Sequence, residues 1–187
     1  VRVVQARVQN NCPGSETAAP PEVPDYRTTI KTTFQEGKGK APSDKVILAL
    51  IGAGSWGTNL ILEAAKAGEN IRIKYVCDVD DTRGGNAISE LEKLQGFKPI
   101  AVRDMRKVYD DKEVDGVFIE TPEHWHALAA IWACQAGKDV YVEKPLCLSE
   151  NEGRELISLA EKHKRILMVG HLLWYHPTLL KLKELIQ

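Results

Sequence analysis

LALIGAGSWGTNLI, residues 48–61, decides how the rest of the chain is read. It completes an apolar run, VILALI (46–51), and opens a stretch of helical spacing that reaches about Ala67. Between the two, Gly52, Gly54 and Gly57 fall in the pattern G-x-G-x-x-G. Alone that pattern is weak; between a strand and a helix each glycine has a separate task. Gly52 permits the tight turn, Gly54 lets phosphates approach the backbone, and Gly57 lets the helix pack closely on the strand. The unpaired N–H groups and partial positive charge of the helix start, which includes Ser55 and Trp56, complete a cradle for a dinucleotide's pyrophosphate. The competing reading is a plain glycine turn with an N-capping acid.

The segments that follow repeat the same alternation. IRIKYVC (71–77), PIAV (99–102), VDGVFIE (114–120), DVYV (139–142) and RILMVG (165–170) read as further strands. Helical stretches fall at 83–94, 123–135 and 150–163, and TLLKLKELIQ (178–187) begins another. Strands alternating with helices predict βαβ units, and strands apolar throughout suit a sheet covered on both faces. The expectation is an α/β fold: a doubly wound parallel sheet of Rossmann type, spanning 45–171. Residues 1–44, rich in Pro, Gly and polar side chains, bury too little to offset ordering entropy and read as a flexible N-terminal segment or linker.

The totals bound the function. A chain of 187 residues holds one full domain and part of another, and a formal charge of -1 gives nucleic acid or an anionic membrane no purchase. No apolar run approaches the ~18 residues of a membrane span. Cys12, Cys77, Cys134 and Cys147 show no CxxC spacing; Cys77, Cys134 and Cys147, in or beside apolar segments, read as small buried thiols, and a reducing compartment is favoured. A cytoplasmic location is expected; a chain beginning at Val1 leaves export open.

Asp78 follows KYVC and lies 21 residues beyond Gly57, where a carboxylate can accept the ribose hydroxyls of a dinucleotide and repel a 2′-phosphate. NAD is therefore favoured, with Arg83 nearby leaving NADP possible. Ligands of open α/β sheets bind outside the carboxyl ends of the strands. After the fourth strand come Thr121, Pro122 and Glu123, then His124 and His126. Two histidines two apart, with no third ligand, make a poor metal pair, so no metal is expected. His124 reads equally well as a helix-start histidine bonded to backbone or solvent; His126 is the better cofactor contact. Trp125 and Trp132 read as packing residues. After the fifth strand, Glu143, Lys144 and Pro145 stand at the nicotinamide end. Lys144 there can hydrogen-bond a substrate hydroxyl and stabilise the alkoxide that develops; a surface Glu–Lys pair is the bland alternative.

GAGSWG, the Asp78 ending, ETPEHWHA, AGKDVYVEKP and ILMVGHLLWYHP together resemble the glucose-fructose oxidoreductase, inositol dehydrogenase and MocA (Gfo/Idh/MocA) family over residues 45–187. The resemblance implies that Gly52, Gly54, Gly57 and Asp78 hold the dinucleotide and that Thr121, Pro122, His126 and Glu143 line its nicotinamide half. It implies Lys144 as the catalytic group on a sugar, nucleotide-sugar or cyclitol hydroxyl. Trp174 stands where similar members often carry arginine. Such members continue into a second α+β domain that supplies a proton-accepting Asp/His pair, most of the substrate pocket and the dimer surface. Residues 172–187 read as the start of that domain, the rest being absent; a homo-oligomer is expected of a full-length protein, and little activity of this chain alone. Two other readings stand beside the dehydrogenase. One is an NAD-dependent glycosidase on the same scaffold, against which the intact EKP counts. The other is a non-catalytic dinucleotide-binding module.

Overall fold

The computed structural model describes residues 45–171 and 176–186. The N-terminal segment 1–44 with Cys12, residues 172–175 with Trp174, and Gln187 lie outside the described residues.

Six short strands build one parallel sheet: β1 (Val46–Ile51), β2 (Ile71–Cys77), β3 (Ile100–Val102), β4 (Gly116–Ile119), β5 (Asp139–Val142) and β6 (Leu167–Val169). Their order is β3-β2-β1-β4-β5-β6, so the direction of winding reverses between β1 and β4 and opens a crevice at the carboxyl ends of those two strands. Alternation along each strand sends side chains to opposite faces. Leu50, Ile73 and Val76 meet Ile61 of α1 (Ser55–Lys66) and Ala87, Ile88 and Leu91 of α2 (Asp81–Gln95). On the other face Ala49, Ile51, Val117, Ile119, Val140 and Val142 form one core with α3 (Arg106–Asp110), α4 (His126–Gln135) and α5 (Glu150–Lys162). The doubly wound α/β fold expected from the alternation is the fold observed. A last helix, α6 (Pro177–Leu185), follows His176.

Local chemistry explains where the elements begin and end. The Asp80 carboxylate caps α2 by accepting from the Thr82 and Arg83 N–H groups, so this helix starts two residues before the apolar spacing suggests. Ser149 and Glu152 form a reciprocal capping box on α5. The stretch expected as one helix over 123–135 divides into a 3-10 turn, Glu123–Trp125, and α4. β4 is shorter than expected, beginning at Gly116; just before it Asp115 clasps β1, its N–H donating to the Ile47 carbonyl at 2.8 Å and its carboxylate accepting from the Ile47 N–H at 2.8 Å. Lys138, 3% exposed, is satisfied in the interior by the carbonyls of Asp111 and Val114, at 2.5 and 3.0 Å.

Cys77 and Cys134 are buried as expected, whereas Cys147, in the loop before α5, is only partly buried; burial pushes the Cys77 and Cys134 thiols up to about 12 and about 11, which leaves them inert. Among the described residues no helix is long and apolar enough to cross a membrane.

Leu50 sits at the centre of the sheet with no exposure. Leu50→Ala is expected to cost about 3 kcal/mol of stability, read as a lower midpoint in urea at unchanged slope.

Candidate functional site

The register of the sheet places a particular residue just past each strand. Val102 pairs Cys77, Cys77 pairs Ile51, Ile51 pairs Ile119, and Ile119 and Val169 both pair Val142. One step further, Arg103, Asp78, Gly52, Glu120, Glu143 and Gly170 stand in a row along the carboxyl edge. The hydrogen-bond ladder extends into this row, with Asp78, Gly52, Glu120, Glu143 and Gly170 each donating an N–H to the neighbouring strand. Asp78 and Glu120 thus flank Gly52, with Glu143 one strand further on.

The glycine turn is tight for two internal reasons and open for a third. Gly52 has φ +92°, and a Cβ there would lie 2.6 Å from the Glu120 carbonyl. A Cβ on Gly57 would lie 2.5 Å from the Gly52 carbonyl oxygen and 2.7 Å from Glu120 Cβ. Nothing lies within 4 Å of the Cβ position of Gly54, which caps the start of α1. The protein itself has no packing need for glycine at 54, whereas a ligand approaching the helix start does. This cradle, bordered by acidic side chains, fits a dinucleotide's phosphates on the turn and its hydroxyls beside it.

Asp78 stands at the end of β2 as expected, with its carboxylate already engaged by backbone. Oδ2 accepts from the Ala53 N–H at 2.6 Å and Oδ1 from the Asp80 N–H at 2.8 Å. It thereby fixes the turn. Arg83 is exposed and 3.6 Å from the Asp80 carboxylate.

Trp56 and Glu143 meet across 87 residues of sequence: the indole N–H donates to Glu143 Oε1 at 3.0 Å. Glu143 Oε2 accepts from the Lys144 N–H at 2.8 Å. Both oxygens of this buried carboxyl are therefore held, one by the glycine turn and one by the loop that carries Lys144. Lys144 itself is exposed, and its peptide to Pro145 is cis. Ser55 and Pro122 are exposed; Thr121 is half-buried, with its hydroxyl buried and unpartnered among the described residues.

His126 differs from its expected place. It is 2% exposed, and its ring lies between two carbonyl oxygens, Nδ1 2.7 Å from that of Pro145 and Nε2 2.7 Å from that of Thr121. No ring nitrogen is left to face a ligand. The side chain braces the loop after β4 against the loop after β5, because the 3-10 turn rotates position 126 inward. His124 is exposed. Trp125 and Trp132 rings pack with centroids 6.5 Å apart, in line with a packing role. Among the described residues no group of three or more ligating side chains could hold a metal.

Sequence reasoning missed Glu120. Both its carboxyl oxygens are buried and have no hydrogen-bond partner among the described residues. Burial first, and the neighbouring Glu143 second, push its pKa up to about 8. An acid directly after an apolar strand, with a second acid after the next strand, was the signal available.

A doubly wound sheet with this glycine turn at its switch point defines a dinucleotide-binding domain. The GFO_IDH_MocA family model, an oxidoreductase family with an NAD-binding Rossmann fold, matches residues 46–171, and the chain belongs to that family. NAD is accordingly its cofactor class. An alpha-N-acetylgalactosaminidase of Shewanella oneidensis is 28% identical over 69% of this chain and 29% of its own length. Among solved structures, GenD2 from gentamicin A biosynthesis, in complex with NAD, superposes with a TM-score of 0.68 at 26% identity, covering 79% of this chain and 40% of GenD2. An NAD-binding protein from Listeria innocua superposes with a TM-score of 0.57 at 28% identity, covering 68% of this chain and 34% of that protein. The chain therefore spans about a third of the length of the curated relatives it matches.

A carboxyl whose folded-state pKa is raised from 4.5 to about 8 contributes stability fully below its unfolded value and loses it as pH rises through about 8. Glu120→Gln is accordingly expected to match the parent at pH 5 and exceed it at pH 9 by roughly 1–2 kcal/mol, allowing for partial solvent screening. Thermal unfolding at the two pH values checks this; an equal difference at both would mean that Glu120 is not buried as described.

Proposed function

We propose that the chain is the cofactor-binding half of an NAD-dependent dehydrogenase acting on a secondary alcohol of a sugar, nucleotide sugar or cyclitol. The observation that carries this reading is the conjunction of the open cradle at Gly54 with Lys144 held at the end of the neighbouring strands by Glu143. Gly52, Gly54, Ser55, Trp56 and Gly57 take the pyrophosphate, and Asp78 the adenosine ribose. Thr121, Pro122 and Glu143 border the nicotinamide half, with His126 holding their loops in place. The exposed Lys144 ammonium hydrogen-bonds the substrate hydroxyl and stabilises the negative charge that grows on its oxygen. Bound NAD supplies the hydride acceptor. A homo-oligomer, a cytoplasmic location, and a C-terminal domain beginning near residue 172 belong to the same reading.

Titration of the chain with NADH and NADPH, followed by quenching of Trp56 and the other tryptophans, tests the cofactor half. Saturable binding with NADH preferred is expected; tighter binding of NADPH would overturn the assignment of Asp78. For the chemistry, Lys144→Ala in the polypeptide carrying the whole substrate pocket is expected to lower turnover by about 100-fold or more while leaving NAD affinity within about twofold. Unchanged turnover would remove the role given to Lys144.

A second reading is favoured by the curated relatives, which bear the names alpha-N-acetylgalactosaminidase and glycosyl hydrolase family 109 protein at 28–30% identity. On it, the same residues serve a glycosidase in which the dinucleotide is returned to its starting state each cycle. Net NADH formation on turnover supports the dehydrogenase; sugar release without it supports the hydrolase.

A further inference from the structure

We propose that Glu120 discriminates the oxidation state of the bound dinucleotide, its carboxyl giving up a proton when the cationic nicotinamide of NAD binds and keeping it beside the neutral ring of NADH. The inference rests on the reading above, in which this edge of the sheet holds NAD, and it assigns a task to a residue which that reading leaves unused.

The argument begins with position. Glu120 stands in the row between Gly52 and Glu143, and its main chain and Cβ form the floor against which Gly52 and Gly57 are packed. With the pyrophosphate on the turn and the adenosine beyond Asp78, the opposite half of a dinucleotide lies over the ends of β4 and β5. Glu120 is thus on the nicotinamide side of the turn.

The second step is hydrogen-bond accounting. Asp78 has an N–H donor on each oxygen, from Ala53 and Asp80, and Glu143 has one on each oxygen, from Trp56 and Lys144. Glu120 has none among the described residues, although both its oxygens are buried. Buried polar atoms left without partners are rare and call for a counterpart. For two of the three carboxyls of the row the protein provides that counterpart; for Glu120 it does not.

The third step is charge. With no donor to support an anion and a second carboxyl beside it, Glu120 holds its proton up to about pH 8. The titratable and charged groups along the neighbouring elements are Glu143 and Lys144 after β5, Asp78 after β2, and Glu123, His124 and His126 after β4; the residue after β1 is Gly52, and the first turn of α1 carries no acid. A fixed positive charge brought into this half-buried place favours the carboxylate, whereas a neutral ring does not. Affinity for NAD must then depend on pH, and affinity for NADH must not.

The experiment measures Kd for NAD and for NADH at pH 6, 7, 8 and 9 by isothermal titration calorimetry on the 187-residue chain, alongside Glu120→Gln and Glu120→Ala. In the parent, Kd for NAD is expected to fall by up to about tenfold per pH unit from 6 to 8 and then level off, with Kd for NADH flat. Repeating the pH 7 titrations in two buffers of different ionisation enthalpy should show close to one proton released per NAD and none per NADH. Both variants should lose the slope and the proton release. The same slope in folded Glu120→Gln, or equal slopes for NAD and NADH in the parent, overturns the proposal while leaving the cofactor reading intact. Failure of folded parent protein to bind either dinucleotide overturns the cofactor reading itself, and the proposal with it.

Discussion

The carboxyl edge of this domain depends on a steric constraint: the exit of β1 runs so close to the exit of β4 that no side chain fits between them. A Cβ on Gly52 would meet the Glu120 carbonyl, and one on Gly57 would meet the Gly52 carbonyl oxygen. Because the contacts are backbone to backbone, no rotamer change can relieve them. Helix α1 is therefore pressed onto the sheet with its N-terminus at the switch point, where its unpaired N–H groups and the open side of Gly54 face outward together.

From that closeness follows the crowding of acids. Parallel strands in register deliver Asp78, Glu120 and Glu143 to one line, and the chain resolves the crowding in two ways. Asp78 and Glu143 are drawn into structure, the first holding the glycine turn through Ala53, the second joining that turn to the Lys144 loop through Trp56. Glu120 is left without donors and remains protonated into the neutral range. His126 completes the framework on the other side by joining the loops after β4 and β5. Lys144 is thus displayed on a loop fastened at both ends, by Glu143 before it and by His126 against Pro145 after it.

Legibility in the sequence followed the range of the interactions. Strands β1, β2 and β5 have the bounds read from the sequence; VILALI of β1 is apolar throughout, as suits a central strand covered on both faces. Helix α3 was not anticipated: five residues are too few to display a period, and Val108 and Tyr109 reveal their role only against the sheet. The inward turn of His126 was hidden for a related reason. Helical spacing gives the direction of a side chain only once the helix has begun, and here a 3-10 turn intervenes.

Sequence by itself determined the fold class, the family and the location of the phosphate turn, because each is written in residues near one another: an apolar run, three glycines, an acid 21 residues on. Tertiary structure alone decided which acids are occupied and which is not. Trp56 reaches Glu143 across 87 residues, Ala53 reaches Asp78 across 25, and nothing described reaches Glu120. Whether a carboxyl is paired, buried or poised to exchange a proton depends on what the register of the sheet sets beside it. No local pattern contains that register.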